Sequence, residues 1–215
     1  MEYAEPWESR IGVPESFVPD RFEEVPSKLP GGASYELLTT TLRDFLDNFA
    51  GGLLAESDAQ ELAATLDLWA ERLAGAAVPE RDQAFGHRVD LHGRGQVMAP
   101  AFVMTDRAED RVTGTVRFGR YFLGGNGAVH GGAIALLFDE VLGRLSDTGA
   151  RPPARTASLS VNYRAITPIE TDLVVEAWFE EEVDRKRHVV GEIRNGNVVC
   201  AEARGLFIGL AAHQN

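Results

Sequence analysis

Gly124 to Glu140 reads GGNGAVHGGAIALLFDE: five glycines in nine residues, then an apolar run that ends on two adjacent carboxylates. So much bare backbone is costly in entropy, so the loop needs either unusual dihedrals or a close approach by something else. Downstream, Ile134, Leu137, Phe138, Val141, Leu142 and Leu145 form one stripe at helical spacing. Ala133 and Leu136 leave much of the opposite side apolar too, which predicts an enclosed helix over about 130–146. Asp139 and Glu140 interrupt that apolar surface, and a carboxylate there is costly unless paired or put to use.

A glycine loop ahead of a helix also suggests dinucleotide binding, and GNGAVH misses GxGxxG only at its last position. The preceding VRFGRYFLGG is not the buried strand that motif follows, and no alternation of strand and helix comes after it. A phosphate loop fails as well, because no GK[ST] follows.

Working outward, GQVMAPAFVMTD and RVTGTVRF predict two strands joined by the turn Arg107–Asp110. After the helix come four more strand-like runs: RTASLSVNYRAI, TDLVVEAWFEEE, RHVVGEIRN and NVVCAEARGLFIGL. Asn195-Gly196 marks a hairpin between the last two, and Asp184-Arg185-Lys186 turns the pair before. Two strands, a helix and four strands make an α+β architecture, a mostly antiparallel sheet curled round one helix.

Residues 1–80 read differently. Residues 1–33 hold five of the ten prolines and predict an extended arm. Residues 35–50 have apolar positions at helical spacing and stop at Gly51-Gly52. Ser57 with Gln60 reads as a capping box opening a second helix, with Leu62, Leu66, Trp69 and Leu73 on one face. The expected organisation is therefore an arm with a two-helix extension over 1–80 and the main domain over 81–215. The extension is expected to cover an edge of the sheet or cap the site.

The chain has 215 residues, is 44% hydrophobic and 25% charged, and has no apolar run near the length of a membrane span. Net charge of −12 argues against nucleic acid as the main partner. The acidic, proline-bearing start and a single cysteine, Cys200, lead us to expect a cytoplasmic protein. Cys200 lies in a strand-like run and reads as buried filler. His87, His92, His188 and His213 have no metal-ligand spacing, so no metal is expected.

HGGAIALLFDE, preceded by its glycine loop and followed by TASLSVNYRAITP, resembles the hotdog-fold acyl-CoA thioesterases, nearest to the phenylacetate-pathway (PaaI-like) subgroup and its animal relatives. The likeness spans about residues 95–210. It rests on His-Gly-Gly opening the helix, an aspartate nine residues later, and a Thr-x-x-Leu-x-Val-x-Tyr strand ending near a proline. It implies hydrolysis of an acyl-CoA thioester, with no cofactor beyond the coenzyme A of the substrate. It also implies a homodimer or dimer of dimers with the active site across the subunit interface.

The resemblance implies Asp139 as general base on water or as nucleophile, and Thr156 as the hydroxyl that orients water or carboxylate. His130 would bond near the thioester and hold the loop. Gly131 and Gly132 head the helix, where amides lack intrahelical partners and the dipole is positive, so they would form an oxyanion hole. Asn126 and Val129 are the expected substrate contacts beside the histidine. Arg164, Arg185, Lys186 and Arg194, with Arg187, are the expected basic rim for the phosphates. Gly124 stands where many members of the subgroup carry a polar residue, and Asn126 substitutes only if the loop bends differently.

Three alternatives stay open. Glu140 takes the base role if the helix is rotated. A non-catalytic acyl-ligand binder suits the Gly124 departure. A hotdog hydratase or dehydratase would need an Asp-x-x-x-x-His pattern, which the helix region lacks.

Overall fold

The computed structural model describes residues 30–149 and 151–211; most of the expected N-terminal arm lies outside them. Helices α1 (Ser34–Gly51) and α2 (Glu56–Ala74) come first, and α3 (Gly131–Ser146) is the central helix. Strands are β1 (Phe102–Arg107), β2 (Arg111–Arg117), β3 (Leu123–Gly125), β4 (Ala128–Val129), β5 (Ala154–Tyr163), β6 (Asp172–Val183), β7 (Lys186–Asn195) and β8 (Val198–Gly209). Six of them form one antiparallel sheet in the order β1-β2-β6-β7-β8-β5, and β3 pairs with β4 in a small hairpin. No helix is long and apolar enough to cross a membrane, among the described residues.

Strand alternation builds the core. Val112 and Val116 of β2, Leu173, Val175 and Ala177 of β6, Val189 and Ile193 of β7, and Ala201, Ala203 and Phe207 of β8 are buried. Each set follows the period of two that puts alternate side chains on one face. On α3, Ile134, Leu137, Phe138, Val141, Leu142 and Leu145 meet that face. The helix sits close to the sheet because two strand positions are bare. A Cβ on Gly191 would lie 3.1 Å from Leu142 Cδ2, and one on Gly205 would lie 3.4 Å from Leu142 Cδ1.

The helix is less enclosed than its composition predicts. Gly131, Ala135, Leu136, Asp139, Glu140 and Gly143 are half-buried and Gly132 is exposed. On that side the sheet ends at β5, which has no further strand beside it, among the described residues. The turns agree with the sequence: Asn195 pairs with Val198 across Gly196 at φ 55°, and Val183 pairs with Lys186 across Asp184 at φ 55°.

Two expectations are corrected. The first strand does not begin at Gly95: residues 95–101 are irregular, with Gly95 at φ 73° and Pro100 unable to donate to a ladder. The capping box does not form either. Helix α2 starts one residue earlier, at Glu56, with Ala55 at the cap, and Ser57 Oγ bonds Asp58 instead.

Helix α1 is tied to the body by polar contacts. Arg43 donates to the carbonyls of Ala99 and Gln96, Tyr35 donates to Gly95 O, and Asp47 accepts the Tyr121 N–H at 2.9 Å. Helix α2, by contrast, buries none of its residues, among the described residues, and Leu66, Trp69 and Leu73 remain exposed.

Candidate active site

The glycine loop folds as the β3–β4 hairpin, whose turn needs Gly125 at φ 144°, Asn126 at φ 50° and Gly127 at φ 74°. Gly124 has a different reason for being bare: a Cβ there would lie 2.8 Å from His130 Cα and 3.0 Å from His130 N. The loop backbone lies against the histidine backbone, leaving no room for the polar side chain common at this position in the resembling subgroup. Asn126 is exposed at the turn.

His130 is the N-cap of α3. Its N–H donates to Phe122 O at 2.7 Å, and its carbonyl accepts from Ala133 N at 2.9 Å. Its Nδ1 accepts the Gly132 N–H at 3.0 Å. Nδ1 therefore carries no proton, and the neutral ring is protonated on Nε2. This corrects one of the two helix-start amides: Gly132 is already satisfied by the histidine ring. The Gly131 N–H has no acceptor among the described residues. Val129, expected as a substrate contact, belongs to the core at 7% exposure with its N–H bonded to Thr167 O, so its side chain supports the loop from within.

Asp139 is half-buried on the open side of α3, and Thr156 Oγ1 donates to its Oδ1 at 2.8 Å. The adjacent carboxylate is used differently. Glu140 accepts from Arg94 Nε at 3.2 Å and Arg94 Nη2 at 2.9 Å, and lies 3.7 Å from Arg144. One residue along a helix turns a side chain by about 100°, which separates the ion-paired Glu140 from Asp139, which accepts from a threonine hydroxyl. Glu140 anchors the 92–95 segment to the helix and is not a free base.

The expected basic rim is split. Lys186 and Arg194 stand at opposite ends of β7, about 27 Å apart at the usual rise per residue. Arg185 sits at the Lys186 end, where its Nη1 donates to Gly209 O. Arg194 pairs with Glu192 at the other end. Arg164 pairs with Glu202 at 2.9 Å and its backbone N–H donates to Cys200 O, which puts it at the Arg194 end. Arg187 is 2% exposed, donating to Ser146 O and Pro152 O, and is a structural group. Strand register, which composition does not reveal, makes this division.

Tyr163 is a neighbour that the sequence reading assigns no role. Its hydroxyl donates to Gly131 O at 2.9 Å, and a Cβ on Gly131 would meet that hydroxyl at 3.1 Å. The available signal was its place at the end of the Thr-x-x-Leu-x-Val-x-Tyr strand. No cluster of three or more His, Cys, Asp or Glu suited to a metal occurs among the described residues.

Residues 126–202 match the family model described as the thioesterase superfamily. Among curated proteins, the chain is 30% identical over 110 residues to acyl-coenzyme A thioesterase THEM4 of Bos taurus; the match covers 50% of this chain and 45% of that protein. It thus spans about half the length of this relative. Among solved structures, protein RHA08564, a thioesterase superfamily protein, superposes with a TM-score of 0.70 at 26% identity. That match covers 83% of this chain and 97% of the other, so it extends beyond the six-stranded region. Taken with the six-stranded sheet and its central helix, these likenesses show a hotdog fold, and over residues 126–202 the chain is similar to the thioesterase superfamily.

Proposed function

We propose that this chain hydrolyses acyl-CoA thioesters, with residues 81–215 as the hydrolytic unit and 1–80 as an accessory extension. The observation that carries the reading is the presence on one helix of an oriented carboxylate and a helix-start amide that has no acceptor among the described residues. Asp139 is held by Thr156, and Gly131 N–H heads α3 with the positive end of the helix dipole behind it.

In the reaction the thioester carbonyl oxygen takes the Gly131 N–H. Asp139 removes a proton from water as the water oxygen bonds to the carbonyl carbon. Negative charge gathers on the carbonyl oxygen, where one such donor contributes about 3–4 kcal/mol. Collapse breaks the carbon–sulfur bond, and the proton held by Asp139 passes to the departing thiolate. Direct attack by Asp139, giving a mixed anhydride that water then opens, uses the same groups.

The two groups cannot serve one thioester within one chain. Gly131 and Asp139 are eight residues apart on a single helix, about 12 Å along its axis. A second copy must bring its Asp139 to this Gly131. The outer edge of β5, which no described strand covers, and the half-buried strip of α3 beside it are the surfaces such a homodimer would use. Arg164 follows Tyr163 in the chain, but its partner Glu202 alternates with the buried Ala201 and Ala203, which puts this pair on the face of the sheet away from the helix. By its motifs the chain resembles the phenylacetate-pathway type.

The test is thiol release from a panel of aliphatic and aryl acyl-CoAs by the purified chain, with mass measured in solution. Thiol release from a dimer or larger assembly, lost in Asp139→Asn, is expected. An absence of thiol release from every ester would instead favour a protein that binds acyl ligands without turning them over.

A further inference from the structure

The Gly131–Gly132 peptide is gripped at both ends. Tyr163 Oη donates to its carbonyl at 2.9 Å, and His130 Nδ1 accepts its N–H at 3.0 Å. A peptide unit is planar, with C=O and N–H pointing in opposite directions. Two side-chain bonds on opposite ends therefore set the orientation of the whole plane. One of them comes from α3's own cap and the other from the end of β5, 32 positions later in the chain. The preceding peptide, His130–Gly131, carries the Gly131 N–H and is held through its own carbonyl, which accepts from Ala133 N–H at 2.9 Å.

We propose that Tyr163 is a positioning residue which, together with the His130 cap, aims the Gly131 N–H at the substrate carbonyl. The inference rests on the hydrolytic reading of the site. The His130–Gly131 and Gly131–Gly132 planes meet at Gly131 Cα, and the Tyr163 bond restrains the rotations there that would let the plane carrying the Gly131 N–H swing. Glycine is otherwise the residue least able to hold such a direction. The same bareness admits the tyrosine, since a Cβ on Gly131 would sit 3.1 Å from Oη and 3.2 Å from Cζ. A carbonyl has two lone pairs, so Gly131 O can accept from Tyr163 and still take part in the helix ladder. Gly131 is thus bare for two partners at once: a thioester on its amide side and Tyr163 on its other face.

The test is Tyr163→Phe in the full chain, which keeps the ring and removes only the hydroxyl. Two quantities are read: kcat and KM for the best acyl-CoA, and the 15N–1H position of the Gly132 amide, which responds to a bond on the carbonyl of its own peptide. The expected result is a fall in kcat of about ten- to a hundred-fold with KM within two-fold, together with a shifted Gly132 amide. Simple loosening of the fold would not divide kcat from KM in that way. An unmoved Gly132 resonance would overturn the grip itself, and a shifted resonance with unchanged kcat would overturn its positioning role. Wild-type protein that releases no thiol sinks the hydrolytic reading, and the positioning role with it, whatever the resonance does.

Discussion

Thr156 Oγ1 meets Asp139 Oδ1 at 2.8 Å, joining the edge strand to the central helix across 17 positions of sequence. The threonine donates its one proton to the carboxylate and so turns one Asp139 oxygen toward the strand. Thr156→Val has nearly the same shape and lacks the donor. We expect it to lower kcat about ten-fold with little change in KM, and Thr156→Ser to restore most of the rate. Steady-state kinetics on the three proteins checks this; an unaltered Val variant would mean the bond does not orient the reacting carboxylate.

Adjacent carboxylates on α3 should respond in opposite ways. Asp139→Asn is expected to reduce kcat by about 10²–10⁴ while leaving the melting temperature close to that of the parent. Glu140→Ala removes the carboxylate that Arg94 and Arg144 share, at a site where Glu140 is 11% exposed. It should cost about 3 kcal/mol of stability. Denaturant unfolding alongside thiol release separates the two. Full activity in the Asp139 variant with loss in the Glu140 variant would exchange their assignments.

His92 should make stability depend on pH. Burial, and after it the positive charges of Arg43 and Arg144, push its imidazole down to about 4, from an ordinary 6.5. Between those values the unfolded chain holds the proton and the folded chain does not. Stability therefore falls as pH drops through the window, by about 2 kcal/mol at pH 5. A His92→Gln variant should show a flatter decline in melting temperature from pH 7 to pH 5. An equal slope in both proteins would assign the acid sensitivity to other groups.

Gly119 should be intolerant of a side chain. A Cβ there would fall 1.8 Å from Asp47 Oδ2, while Asp47 holds the Tyr121 N–H at 2.9 Å. Gly119→Ala must push that carboxylate off, releasing α1 from the 120–122 turn that leads into the glycine loop. The expected outcome is a loss of about 1–3 kcal/mol, with faster amide exchange in α1 than in the sheet. Uniform protection across α1 in the variant would contradict it.

What could be read along the chain was whatever sequence neighbours decide among themselves. The stripe from Ile134 to Leu145, the alternation of β6 to β8 and the turns at Asp184 and Asn195-Gly196 need only local periodicity and backbone preference. Together they were enough for an α+β sheet on one helix. The motif likeness also singled out Asp139, Thr156, His130 and Gly131 as candidates. Tertiary structure decided which of those residues touch. Only folding bonds Thr156 to Asp139, sends Glu140 to an arginine 46 positions earlier, and brings Tyr163 onto Gly131. Strand register alone divides the expected basic rim between the two ends of β7. Periodicity says which face of an element is buried, whereas polar partners depend on distances between elements far apart in the chain, which no local pattern contains.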